Sequence, residues 1–389
     1  MDLDNSGTSV DHLRALVGCD TVSRNSNLPL IEYLVAVLEP LGARLEQIGE
    51  ETGQKANLLA SFGPIDQRGY ILSGHTDVVP VDGQDWHSNP FELVERDGKL
   101  FGRGTTDMKG FLACCLAMAP KMASASLLMP LHIAFSYDEE VGCIGVRSLI
   151  DRLTQWEVKP RGCFVGEPTS MQVVTSHKAK RSMRGIVTGT SAHSSRSPSA
   201  VNAIDYAAEF LIELRKVGRQ AEESGPRDEL FDVPFTTSHV GVIKGGEQLN
   251  IVPQDCQFDF EFRALPSHDV DAKVAHMERF ARATLLPRMK AVSPKADFRL
   301  ERIAGFPGLD TDPDTDIVGL AKRLAGRNDH AKVAYGTEGG LFSARGGIPT
   351  VICGPGDIDR AHKADEFITR AELAACETFI DALIDHASQ

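Results

Sequence analysis

The sequence predicts an α/β fold: a layered domain with a mainly parallel sheet, interrupted by an inserted α+β domain of ferredoxin-like order. Three observations predict it. Strand-like apolar runs alternate with helix-like amphipathic runs through the first half of the chain. Near Lys178 that rhythm gives way to strand, helix, two strands, helix and strand. Past residue 303 the first rhythm returns. A chain of 389 residues also exceeds what one ordinary core holds. Two domains are therefore expected, one from residues 1–178 with 304–389 and one from residues 179–303.

In order, DHLRALVGC and PLIEYLVAVLEPLG have apolar residues at helical spacing, whereas ANLLASFG and RGYILSGHTDVVP read as strands ending in polar loops. After GRGTTDMKG come an apolar helix, FLACCLAMAPKMA, a strand, LHIAFSYDEE, a helix, IGVRSLIDRLTQW, and a strand, GCFVGEP. In the insertion, Lys180 to Thr190 alternate like a strand and Ala200 to Val217 form an amphipathic helix. Thr236 to Arg263 give two strands around a glycine turn at Gly245, Val270 to Leu286 a helix, and the region of Phe298 a short strand. The closing stretch supplies the helix DTDIVGLAKRLAG, the strand KVAYG, the Gly-rich GTEGGLFSARGG, the strand PTVICGPG and the helix AELAACETFIDALIDH.

Composition narrows the function classes. The 41 Lys and Arg against 54 Asp and Glu give a net charge of −13, which opposes binding to nucleic acid or anionic membrane. The N-terminal stretch MDLDNSGTSVDHLRALVG lacks a basic segment followed by an apolar core, and no run approaches a membrane span, so the expected location is cytoplasmic. The eight cysteines show no CxxC spacing and read as buried free thiols. A metal site here would use histidines and carboxylates.

Such residues fall at strand ends: His75 and Asp77 after YILSG, Asp107 in GRGTTDMKG, Glu139 and Glu140 after LHIAFSYD, Glu167 after CFVG, and His362 after VICGPG. Parallel strands deliver their C-terminal ends to one edge, where α/β proteins place ligands. Two imidazoles and three carboxylates, one of them bridging, suit a pair of divalent ions; zinc fits best, with cobalt and manganese also compatible. Asp77, two residues past His75, can hold the imidazole tautomer. Adjacent Glu139 and Glu140 suggest that one binds metal while the other moves a proton.

The segments SGHTDVVP, GRGTTDMKG, SYDEEVGCIG, VGEPT and GPGDIDRAHKADEF, in this order over most of the chain, resemble a di-zinc deacylase and peptidase family. That family comprises acetylornithine deacetylases, succinyl-diaminopimelate desuccinylases, aminoacylases and glutamate carboxypeptidases. The resemblance implies that His75 and Glu167 bind one zinc, Glu140 and His362 the other, and Asp107 both. It makes Asp77 the residue that orients His75, Glu139 the general base, and the insertion a lid and dimerisation domain. His193, in GTSAHSS, would reach a partner subunit's site and stabilise an oxyanion. Asn250 and Arg263 match positions that resemble substrate contacts, and a guanidinium suits an amino-acid carboxylate.

Within the family, YGTEGGLFSARGG resembles the acetylornithine deacetylase branch. Leu341 stands where the desuccinylase branch carries an arginine, which favours acetyl over succinyl. Glu338 could meet an ornithine ammonium or cap backbone in its Gly-rich loop. Other N-acyl amino acids or dipeptides would use the same centre. A non-catalytic binding protein is opposed by the complete ligand set and Glu139, and a thiol enzyme built on Cys114 or Cys115 lacks a His-Asp arrangement beside either.

Overall fold

The computed structural model of the chain describes residues 7–389. The first six residues of the N-terminal stretch considered above for a targeting signal lie outside them. The chain forms two compact units. The first runs up to Ser176 and includes Leu309–Lys332 and Thr337–Gln389; the second comprises His177–Gly308 and Val333–Gly336. The stretch 179–303 falls within the second unit.

In the first unit, α1 (Ser9–Gly18) starts at Thr8, whose hydroxyl and backbone exchange hydrogen bonds with Asp11 in a capping box. Next come α2 (Leu28–Leu38), β1 (Arg44–Gly49), β2 (Ala56–Phe62), β3 (Tyr70–His75) and the short strands β4 (Val94–Arg96) and β5 (Lys99–Phe101). Then follow α3 (Gly110–Ser124), β6 (Leu131–Ser136), α4 (Val146–Thr154), β7 (Gly162–Pro168) and β8 (Val174–His177).

The second unit contains β9 (Ala179–Thr188), α5 (Ala203–Ser224), β10 (Thr237–Gly245), β11 (Asp255–Ala264), α6 (Val270–Phe280), α7 (Leu286–Val292) and β12 (Asp297–Phe306). The chain then adds β13 (Leu309–Asp310), α8 (Asp316–Leu324), β14 (Ala331–Val333), α9 (Gly339–Ala344), β15 (Thr350–Gly354), β16 (Phe367–Thr369) and α10 (Arg370–Ala387).

The large sheet has the order β1-β2-β6-β3-β7-β15-β8-β13, with β14 beside β8. Its centre, β6-β3-β7-β15, is parallel. Antiparallel β1 and β2 lie on one side, and β8 runs antiparallel to β15 on the other. Every residue of the four central strands is buried. Burial on both faces requires helices on both, which explains continuous apolar runs such as CFV in β7 and VIC in β15. Here α1, α3 and α10 pack as one group and α4 with α9 as another.

Two glycines show how closely α3 approaches the sheet. A Cβ on Gly166 would lie 2.0 Å from the Phe111 ring, and one on Gly74 2.7 Å from the Met108 side chain and 2.8 Å from Leu112. Each glycine immediately precedes a strand-end residue, His75 or Glu167.

The second unit has a four-stranded antiparallel sheet in the order β10-β11-β9-β12, the ferredoxin-like arrangement. Along β11, Cys256, Phe258, Phe260, Phe262 and Ala264 are buried while the intervening residues are not. This alternation is that of a sheet covered on one face, here by α5 and α6. Phe210 of α5 sits among Phe258, Phe260 and Phe298 at ring separations of 5.2 to 5.6 Å. One of the two edge strands, β10, leaves Val242 and Ile243 exposed. No helix among the described residues is long and apolar enough to cross a membrane.

Candidate metal centre

The parallel strands bring the strand-end residues together. His75 is the last residue of β3, Glu167 lies near the end of β7, Glu139 and Glu140 follow β6, and His362 follows β15. Asp107 comes from the turn Thr105–Lys109 ahead of α3, where Asp107 and Met108 depart from helical geometry and the peptide bond between them is cis.

Asp107 lies between the two histidines. Its Oδ1 is 3.0 Å from His75 Nε2 and its Oδ2 3.1 Å from His362 Nε2. Glu167 Oε1 stands 3.8 Å from His75 Nε2, and Glu140 Oε2 3.2 Å from His362 Nε2. Donor atoms of His75, Glu139 and Glu167 converge within 4.8 Å of one another, as do those of His75, Asp107 and Glu140. Among the described residues, Glu140 Oε1 is buried without a hydrogen-bond partner. An orphaned oxygen on a carboxylate whose other oxygen lies beside an imidazole nitrogen is what a bound cation would satisfy, so the residues fit a pair of divalent ions.

The electrostatics agree with that fit. Burial pushes the carboxyl of Glu139 up to about 8 and that of Glu140 up to about 7, and raises Glu167 well above the carboxylate range. Burial also opposes ionisation of Asp107, but hydrogen bonds from His362 and His75 outweigh it and hold its pKa low. His362 is raised to about 10, first by its hydrogen bond to Asp107 and then by that to Glu140. Buried carboxylates this close do not all ionise with protons as the only compensating charge; divalent cations supply the compensation and displace the protons.

Asp77 organises the cluster differently from the sequence expectation. β3 ends at His75, so Asp77 lies beyond the strand, and its main-chain oxygen accepts the Nδ1–H of His75 at 2.8 Å. The carboxylate is 3.6 Å from the same nitrogen. That carboxylate instead accepts the backbone N–H groups of Glu139 at 3.1 Å and Glu140 at 3.3 Å, and the hydroxyl of Ser23 at 2.7 Å. The imidazole is thereby fixed as the tautomer that leaves Nε2 free for a metal.

Glu338 requires a correction. It is fully buried, and its oxygens accept the hydroxyls of Ser73 at 2.6 Å and Ser136 at 2.7 Å. With no exposed surface and both oxygens engaged inside the unit, it is neither a substrate contact nor a free cap in a loop. The Gly-rich stretch is in fact partly helical, as α9. Leu341 is buried there too.

The remaining candidates lie in the second unit. His193 is exposed, with Nδ1 2.8 Å from the Ser195 hydroxyl. It pairs across to Ile251, and Asn250 O accepts the N–H of Ser194 at 2.9 Å, so the loops bearing His193 and Asn250 are neighbours. Arg263 is at the other end of β11, opposite Lys180, and its Nε donates to Glu261 at 2.9 Å.

Sequence reasoning missed Ser23, Ser73, Ser136, Arg103, Glu366 and Cys143. Cys143 Sγ donates to Glu139 Oε1 at 3.1 Å. Glu366 lay within a quoted motif, four residues past His362, where an acidic residue beside a ligand was an available signal.

Comparison with known proteins agrees with this geometry. Residues 71–386 match the family described as peptidase family M20/M25/M40. The acetylornithine deacetylase of Yersinia pestis is 34% identical, with 98% of this chain and 97% of that protein covered. That of Pasteurella multocida is 31% identical, with 95% of each covered. Among solved structures, an M20-family metallo-carboxypeptidase from Sulfolobus solfataricus superposes with a TM-score of 0.75 at 17% identity, covering 98% of this chain and 99% of that one. A Bacillus subtilis protein described as a dinuclear metal-binding peptidase of the M20 family gives 0.65 at 13%, covering 97% and 96%. On the family match and on relatives alike over nearly their whole length, the chain belongs to the hydrolases of peptidase family M20/M25/M40.

Proposed function

We propose that the protein is a di-zinc amidohydrolase that cleaves N2-acetyl-L-ornithine to L-ornithine and acetate, a step of arginine biosynthesis, in the cytoplasm. The observation that carries the metal chemistry is Asp107, with one oxygen toward each of two imidazole-carboxylate groups. The substrate rests on the acetylornithine deacetylases that are 31 to 34% identical over nearly the whole chain.

In this reading His75 and Glu167 hold one ion, Glu140 and His362 the other, and Asp107 both. Two zinc ions bound there would supply Lewis acidity and lower the pKa of water at neutral pH. Glu139, whose oxygen converges with His75 and Glu167 within 4.8 Å, takes the proton from water and returns it to the leaving α-amine. Arg263 binds the substrate carboxylate after parting from Glu261. Leu341 stands where the desuccinylase branch carries an arginine, a resemblance that favours an acyl group lacking a second carboxylate, although its own side chain is buried in α9.

The second unit supports a homodimer. His193 and Asn250 adjoin the end of the sheet where Thr188 pairs with Asp255, and Arg263 lies where β11 pairs with Lys180. Those ends are separated by eight residues of strand, roughly 26 Å at about 3.3 Å per residue. One small substrate contacts both only if they come from different chains. His193 then stabilises the oxyanion in a partner's site, and exposed edge strand β10 is the surface for pairing two copies.

The test is acetate release from N2-acetylornithine by zinc-loaded protein, beside acetylcitrulline, acetylmethionine, a dipeptide and succinyl-diaminopimelate, with and without chelator. Chelator-sensitive turnover dominated by acetylornithine is expected. Dominant turnover of another compound replaces the substrate and keeps the centre; chelator-insensitive turnover overturns the centre.

A further inference from the structure

We propose that Glu366, acting with Arg103 and Gln84, is a positioning residue that sets Asp107 against His362 and so fixes the spacing of the metal pair; this rests on the metal-centre reading above. The Glu366 side chain is 1% exposed, as is that of Arg103. Its Oε1 accepts the backbone N–H groups of Thr106 at 2.8 Å and Asp107 at 3.0 Å. Its Oε2 accepts the N–H of Gly104 at 3.0 Å and Arg103 Nη1 at 2.6 Å. The loop that ends in Asp107 is thus wrapped around one carboxylate. The left-handed backbone of Gly104, at φ +84°, helps its amide turn inward.

The same group controls the other ligand. Arg103 Nη1 also donates to the Lys363 carbonyl at 3.3 Å, and its Nη2 to Gln84 Oε1 at 2.6 Å. Gln84 Nε2 in turn donates to the carbonyl of His362 at 3.0 Å. His362 has φ +63°, a conformation that is costly for a histidine and persists only when its surroundings over-determine it. The carbonyl contacts supply that constraint. Asp107 is held by its amide and His362 by its carbonyl, both referred to a single buried carboxylate and guanidinium.

A buried ion pair is a weak device for stability, because apolar residues of similar volume do as well or better once desolvation is counted. Its advantage is geometric: charge-assisted hydrogen bonds fix their donors closely. A carboxylate that gathers the amides of one ligand loop, and through Arg103 and Gln84 reaches the carbonyl of the other ligand, is therefore placed to set ligand spacing.

The experiment titrates metal-free wild-type protein and the variants Glu366→Gln, Glu366→Asp and Gln84→Leu with cobalt and zinc against a chromophoric chelator. It records stoichiometry, dissociation constants, the cobalt visible spectrum and the thermal midpoint. Wild-type protein is expected to take two equivalents. Glu366→Gln, whose amide nitrogen faces N–H groups, should bind at least one equivalent about 10–100-fold more weakly and shift the cobalt bands. Gln84→Leu, at a half-buried position, should do the same to a smaller degree with its thermal midpoint unchanged. Variants that bind two equivalents with wild-type affinity and spectrum overturn the proposal, even if they melt earlier. If Glu366→Gln does not fold, Gln84→Leu and Glu366→Asp decide by the same criteria. A wild type that takes up no metal overturns the metal centre itself, and the positioning role with it.

Discussion

The main-chain oxygen of Asp77 accepts the Nδ1–H of His75 at 2.8 Å, while the Asp77 carboxylate turns to the backbone of Glu139 at 3.1 Å. One residue thus orients His75 through its backbone and the turn bearing Glu139 and Glu140 through its side chain. Asp77→Asn separates the two. It keeps the carbonyl contact but sets an amide nitrogen against donors, so the expected result is retained metal with turnover lowered about 10–100-fold. Metal content and kcat measured together check this. Loss of metal would mean that the carboxylate, 3.6 Å from the ring, supports His75 directly.

Glu139→Gln should leave two metals per chain and lower kcat about 10²–10⁴-fold, because an amide does not accept the water proton. Metal analysis beside single-turnover rates is the measurement. Unchanged turnover would remove Glu139 as the base.

Mixed dimers test the partner role of His193. Glu139→Gln and His193→Ala should each be nearly inactive alone. Co-expressed, random pairing restores one intact site in each mixed dimer, or roughly a quarter of wild-type activity. Absence of recovery, with mixed dimers shown to form, would place His193 outside the partner's site.

Arg263→Leu should raise KM for an N-acyl amino acid about 10–100-fold, the equivalent of about 1.5–3 kcal/mol for a charge-assisted contact. The kcat should change less. An unchanged KM would leave Arg263 as the partner of Glu261 alone.

Stability should depend on His132. Burial lowers its pKa from 6.5 to about 4, and its Nδ1 sits 2.8 Å from the Ser61 hydroxyl. The folded protein therefore keeps it neutral where the unfolded chain is protonated. Its contribution is full above pH 6.5 and is lost as the pH falls toward 4, amounting to about 3 kcal/mol. Urea unfolding between pH 7.5 and 4.5 should show a shallower decline for His132→Gln than for wild type. Equal declines would assign the acid sensitivity to other groups.

The sequence displayed the parts of this molecule that have a period or a motif. Strand-like runs such as LHIAFS and the alternation of Lys180 to Thr190 revealed the two sheets, and the strand-end positions of His75, Glu140, Glu167 and His362 revealed the cluster. Of the strands of two or three residues, β14 was read within KVAYG, but β4, β5, β13 and β16 are too short for any period to register. Helix α9 was hidden because its glycines read as loop. Glu338 was misread for the same reason: its partners Ser73 and Ser136 are distant in sequence, and nothing local marks them. The grip of Glu366 on Gly104, Thr106 and Asp107 is equally non-local, since backbone amides leave no trace in residue type.

Phe111 lies against Gly166, so that position accepts no methyl group unless the ring and the helix that carries it give way, whereas a methyl group on Gly74 would press on the side-chain ends of Met108 and Leu112. Directed evolution toward a new acyl group should therefore leave residues 74, 111 and 166 unvaried. Libraries confined to the loops past the strand ends will hold more active members than libraries spread over the strands, because the floor beneath Glu167 has no room for added volume and that beneath His75 takes it only by moving Met108 and Leu112.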